Sequence, residues 1–224
     1  MMVTPILCSL LLSRATLPQD TVTWSRTWVK DSKASYDVKM EIKGQFEVIV
    51  GMSMTQKVLE VFDKGEAMLE TSIDKFEVTV MGNSVPAPAP PTTKSRVDMY
   101  GNSVEKKTGN RNGLPAFWNT LSMDILTADF TVGTKKEFER EDKNAKTKSK
   151  GWVKFASLEK GVATVEYDVY VTSPDSEKPF HVVGSNTINA TNGSLIKAEG
   201  TVTDPPKMQN MEFESIKFQL TLKQ

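Results

Sequence analysis

The chain has 224 residues, 38% of them apolar and 25% charged. That is enough to bury a core without staples, and too rich in aromatic and β-branched residues for a disordered polymer. Its 28 Lys and Arg balance 28 Asp and Glu, so no basic field gathers phosphates, which excludes nucleic acid and an anionic membrane surface as bulk-charge partners. One histidine and one cysteine exclude the usual zinc and iron ligand sets, and no metal or cofactor is expected.

The first element is a leader. Pro5 to Leu12 form a short apolar run, and Ser13 and Ala15 have the spacing of a signal-peptidase site, so residues 1–15 read as a signal peptide and the protein as exported, in a bacterium. The run is too short for a membrane helix, and no later segment reads as one. Cys8 falls inside the leader, which leaves the mature chain without a thiol.

From residue 21 the dominant period is two. Tyr36, Val38, Met40 and Ile42 share one face of a strand, while Asp37, Lys39, Glu41 and Lys43 share the wet one. Phe46, Val48, Val50, Met52 and Met54 continue in phase, and Val22, Trp24 and Trp28 read as an earlier strand. Further strands are expected at 57–62, 67–73, 76–81, 96–99, 103–107, 130–140, 152–158, 163–172, 181–188, 195–202 and 213–222. The proline-rich 83–95 reads as an extended loop, and the lysine-rich later part of 135–151 as a solvated hairpin tip. In 115–126, Pro115 precedes Phe117, Leu121 and Ile125 at i, i+4, i+8, the stripe of a short helix.

One phrase recurs. At an offset of 96, Lys64, Gly65, Ala67 and Glu70 meet Lys160, Gly161, Ala163 and Glu166; at an offset of 91, Ser103, Lys106 and Gly109 meet Ser194, Lys197 and Gly200. Gly65 and Gly161 suit the positive φ of a tight hairpin, and Asn102 and Gly193 suit a second left-handed turn. The fold class is therefore mainly β: a single domain over 21–222, an antiparallel curved sheet or half-open barrel. It has a pseudo-twofold repeat of halves 21–113 and 127–222, joined by the one short helix.

This layout of leader, meander, Asp63-Lys64-Gly65 turn, Leu114-Pro115 helix and final hairpin resembles uncharacterised exported bacterial all-β proteins. More loosely it resembles the periplasmic lipoprotein carriers of the LolA/LolB type. The second resemblance implies a half-barrel with helices at its mouth.

The chemistry of an enzyme is hard to find. His181 has no G-x-S-x-G nucleophile turn to serve and reads as a strand residue, while Glu137, Glu139 and Glu141 read as a solvated edge. An apolar ligand suits the composition better, because Met40, Met52 and Met54 fall on inward positions where flexible thioethers adapt to irregular shapes. Phe117, Trp118 and Leu121 would line or gate the opening. The alternative is a structural or interaction module of the cell envelope, with methionine as packing and an envelope protein as partner. The sequons at Asn189 and Asn192 read as turn residues.

Overall fold

The computed structural model describes residues 22–101, 103–104, 130–142, 146–174, 176, 178–206 and 212–223. The leader with Cys8, the helix 115–126 with Phe117, Trp118 and Leu121, and Asn102 lie outside these residues. Eleven antiparallel strands are described: β1 (Lys33–Gly44), β2 (Val48–Val61), β3 (Ala67–Val80), β4 (Asn83–Val85), β5 (Thr93–Val97), β6 (Lys135–Asp142), β7 (Thr147–Glu159), β8 (Val162–Thr172), β9 (Phe180–Asn189), β10 (Leu195–Thr203) and β11 (Phe213–Leu222). They form one sheet in the order β4-β3-β2-β1-β11-β10-β9-β8-β7-β6, with β5 beside β3. The helical piece among the described residues is a 3-10 turn at Asp63–Gly65.

Alternation placed most strands, and its exceptions have local causes. The expected strands 46–54 and 57–62 are one strand, β2, and 67–73 and 76–81 are one strand, β3. The two parts of β3 read as separate because the register slips at Asp74, between partners Ser53 and Met54. An extra residue in one strand flips every later side chain to the other face, so the apolar set moves from Leu69 and Ile73 to Phe76 and Val78. The stretch expected as a strand from Phe130 begins with a turn, in which Thr134 N–H donates to the Thr131 carbonyl (2.9 Å); Gly133 and Thr134 already bond Phe155, and the regular strand runs from Lys135. Lys148 and Lys150, expected at a hairpin tip, stand within β7 opposite Glu141 and Glu139. Of 103–107, Ser103 forms a single bridge to Val97 and the part beyond Val104 lies outside the described residues.

Residues 22–28 are not a strand. They form a strap whose backbone donates to the turns of two distant hairpins: Thr23 N–H to the Ala190 carbonyl (2.8 Å), Arg26 N–H to Met99 (2.7 Å) and Thr27 N–H to Asn192 (3.1 Å). Two adjacent residues thus hold carbonyls from the β5 turn and the β9–β10 turn on the order of 10 Å apart. In a flat sheet β5 and β10, separated by β3, β2, β1 and β11, would stand about 24 Å apart at ~4.8 Å per step. The sheet is therefore strongly curled, while β6 at one edge and β4 and β5 at the other pair with no closing strand among the described residues.

The repeat is present in three dimensions. Lys64 and Gly65 have φ of 64° and 74°, and Lys160 and Gly161 have 50° and 78°, so both turns use two consecutive left-handed residues. The register slips once before each turn, at Leu59 in β2 and Ala156 in β7. Just after them Ala67 and Ala163 are both 0% exposed. The second pair of turns is built alike: Asp98 Oδ1 accepts Tyr100 N–H (2.8 Å), and Asn189 Oδ1 accepts Thr191 N–H (2.9 Å). Gly193 has φ of 66°, as a left-handed turn requires. These features differ in kind and keep their order, which convergence of hairpin composition alone does not explain.

Candidate functional site

The inward face of the curled sheet is mainly apolar, with Asn186 between Val165 and Ala198. A single cross-strand row runs Val153, Tyr167, Gly184, Gly200, Phe218, Met40, Val50 and Val78 from β7 to β3. Its middle is two facing glycines. A Cβ on Gly184 would lie 2.7 Å from Tyr167 Oη, and one on Gly200 would lie 2.8 Å from Phe218 Cζ. Rings from both flanks therefore lie against backbone at the centre of the face, where close approach and strand bending both require glycine. Both glycines fall inside the expected strands 181–188 and 195–202, and no local pattern marks them as facing partners.

Met40, Met52 and Met54 are brought together on β1 and β2: Met52 stands opposite Val38, Met54 opposite Tyr36, and Met40 opposite Val50. Each is 6% exposed and all belong to the main core. Burial of this depth is what a packed core gives as well as what a ligand-lined face gives. The turn residues Gly65, Gly161 and Gly193 sit at hairpin ends, away from that row.

The strap places an aromatic on each half. Trp24 packs edge-on to Phe155 (5.0 Å between centroids) and Phe130 (6.0 Å), while Trp28 packs on Val58, Ala67, Leu69 and Val97. Trp28 Nε1–H donates to the Asp98 carbonyl (3.3 Å). Among the described residues Trp24 Nε1–H, in a side chain 5% exposed, has no acceptor, and an unpaired buried donor costs about 1–3 kcal/mol. Between them lies Arg26, whose guanidinium stands 5.5 Å from the Trp28 ring centroid. Burial pulls the Arg26 pKa below its usual range against the nearby Tyr36 and Asp98, and burial raises the Tyr36 phenol against Arg26. Neither Arg26 nor Tyr36 carries a sequence signal beyond its inward parity.

The outward face is polar. Asp37 accepts from Ser53 (2.6 Å) and pairs with Lys223 (2.9 Å), which together hold its carboxyl below the usual range; Thr55 donates to Asp74 (2.6 Å). His181 shares a 2.8 Å hydrogen bond with Asp168 and stacks on Tyr170 at 4.2 Å, an outer-face cluster for which a serine or cysteine partner is not found in the described hydrogen bonds. Glu137, Glu139 and Glu141 are exposed on the edge strand β6. An open polar cleft of about 360 Å³ lies over Lys43 to Glu47 and Glu214, at the far end of β1 from the strap. Asn189 and Asn192 use their side chains to cap their own turn. Among the described residues no group of three metal-binding side chains converges, and no helix is long and apolar enough to cross a membrane.

No family model and no curated protein matches this chain. Among solved structures it is similar to a candidate exported protein of YmcC-like fold from Bacteroides fragilis NCTC 9343, with a TM-score of 0.36 and 11% identity over 89% of this chain and 100% of that one. It is also similar to a DUF1329 family protein from Desulfovibrio piger ATCC 29098, with a TM-score of 0.19 and 10% identity over 86% and 84%. Neither bears the name of a lipoprotein carrier, and at these scores the likeness carries no argument about fold or function.

Proposed function

We propose that the chain is an exported, non-enzymatic binding protein whose concave face takes a lipid or other hydrophobic ligand. The observation that supports this most is the inward row through Gly184 and Gly200, flanked by methionines on β1 and β2, in a curled sheet whose edges are unpaired among the described residues. Such a surface combines a narrow floor with side chains that repack at low cost. A carrier of the LolA/LolB kind would use a half-barrel in the same manner.

The test is native mass spectrometry of the protein purified from its own host, followed by organic extraction. A lipid-sized adduct lost on extraction is the expected result. A single apo mass under gentle ionisation, with no lipid in the extract, contradicts it. The 6% exposure of Met40, Met52 and Met54 favours a second reading, a solid-cored structural or interaction module of the envelope, and that outcome would select it.

A further inference from the structure

We propose that the strap at residues 22–28 is a latch: it stays with the first half of the sheet, lets go of the second, and so sets how far the concave face is open. The latch itself is independent of the reading above, and only what the open face admits rests on it.

The two halves already meet within the sheet, where β1 pairs with β11 from Tyr36 opposite Leu222 to Gly44 opposite Phe213. The strap is a second link, made across the curl between the turn after β5 and the turn joining β9 to β10. A curled sheet fastened at both places keeps its curvature, while one held by its own pairing alone relaxes toward the shallower curl that its twist sets. The grip on the second half falls on the hairpin that carries Gly184 opposite Gly200, where the absence of side chains lets strands bend.

The strap's bonds divide unequally between the halves. To the first half go Arg26 N–H to the Met99 carbonyl (2.7 Å) and the Trp28 indole N–H to the Asp98 carbonyl (3.3 Å). Just downstream Asp31 N–H donates to the Val58 carbonyl (2.8 Å) and Val58 N–H to the Ser32 carbonyl (3.0 Å), after which the chain enters β1. To the second half, among the described residues, go Thr23 N–H to the Ala190 carbonyl (2.8 Å), Thr27 N–H to the Asn192 carbonyl (3.1 Å), and the ring of Trp24 on Phe155 and Phe130. Thr23, Thr27 and Asn192 are exposed, so water replaces those two bonds at little cost. Release also hydrates the Trp24 indole N–H, which is unpaired among the described residues, and this offsets part of the apolar area lost. The weaker grip has a seat at Gly193, where an added Cβ would lie 2.7 Å from the Ser25 carbonyl carbon and 3.1 Å from Arg26 N. No side chain fits between the strap and that turn. Because Phe155 stands opposite Val165, the place Trp24 vacates is continuous with the inward face.

The experiment is amide hydrogen exchange, followed by NMR, on the full-length protein without ligand. The Thr23 and Thr27 amides are expected to exchange together, at least about tenfold faster than those of Arg26, Asp31 and Val58, as an opening confined to one contact requires. Gly193→Ala should speed both by about another tenfold, since the added Cβ pushes the strap off its seat. Gly82→Ala is the matched control: Gly193 and Gly82 both have positive φ (66° and 81°), but nothing lies within 4 Å of a Cβ on Gly82, so the strap rates should not change. Thr23 and Thr27 exchanging as slowly as Arg26 and Asp31 in wild type, a comparison that decides even if Gly193→Ala fails to fold, overturns the latch. Equal acceleration by both variants overturns it too. A second arm mixes each protein with oleate below its micellar concentration in stopped flow, read by tryptophan emission, and faster uptake by Gly193→Ala than by Gly82→Ala is expected. Equal uptake rates overturn the strap's control of the concave face. Exchange as predicted with no uptake by any of the proteins keeps the latch and overturns the apolar reading.

Discussion

The hairpin β2–β3 with β5 and the hairpin β7–β8 with β9 have one plan and two kinds of interior. Phe155, Val165 and Ile188 are 2%, 0% and 1% exposed, whereas their counterparts Val58, Leu69 and Val97 are 5%, 4% and 6% exposed. Phe155, Val165 and Ile188 belong to the large core with Val153, Val169, Val171 and Val182, whose first-half side includes Met40, Met52 and Met54, whereas Val58, Leu69 and Val97 form a separate small cluster with Ala67 under Trp28. β-Branched side chains have few rotamers and fill a fixed shape, while methionine has many and fills a variable one. The two halves share one hairpin frame, and the expectation drawn from their filling is that the valine-rich wall stays fixed while the methionine-bearing one repacks.

The largest effect that separates the halves is truncation of the core. Phe155→Ala should cost about 3–5 kcal/mol in urea unfolding, because it removes the ring on which Trp24 and Phe130 pack. The equivalent Val58→Ala should cost about 1.5–3 kcal/mol. Equal losses would mean that the two interiors are alike in tightness. Next come the turns: Gly65→Ala and Gly161→Ala should each cost about 1–2 kcal/mol for a side chain at positive φ. Gly65 is the more sensitive, since Met99 Cε lies 3.0 Å from its added Cβ while nothing lies within 4 Å at Gly161.

The strap tryptophans give a smaller and opposite-signed pair. Trp28→Phe should destabilise by about 1 kcal/mol through its lost hydrogen bond, whereas Trp24→Phe removes a donor without an acceptor among the described residues and should be neutral or better. The smallest effect is confined to high pH. Burial, with Glu199 adding to it, raises the Tyr167 phenol well above its usual range. The folded state thus prefers the protonated form. Its contribution is complete below the ordinary phenol value of about 10 and is lost as pH rises above it. Tyr167→Phe should flatten alkaline unfolding monitored by circular dichroism; an unchanged alkaline limb would show that Tyr167 is no part of it.

Much of this plan was legible in the sequence. Alternation located the strands, and the paired Lys-Gly phrases located two equivalent turns, because both signals are local. What escaped was set by distant partners. The slip at Asp74 made β3 look like two strands. Trp24 and Trp28 gave the strap a strand's parity, although its N–H groups go to turn carbonyls. Gly184 and Gly200 carry no pattern of their own, and only the rings of Tyr167 and Phe218 folded over them explain their place. The site was legible only as far as the inward methionines; the strap's backbone bonds to Met99, Ala190 and Asn192 depend on turns distant in sequence.

The most direct measurement is methyl NMR of protein carrying labelled methionine and valine methyls, titrated with oleate. The account predicts shifts at Met40, Met52 and Met54 with Val153, Val165, Val169 and Val182 nearly still. Equal shifts across both sets, or none in the methionines, would contradict the division of one curled sheet into a rigid half and an adaptable one.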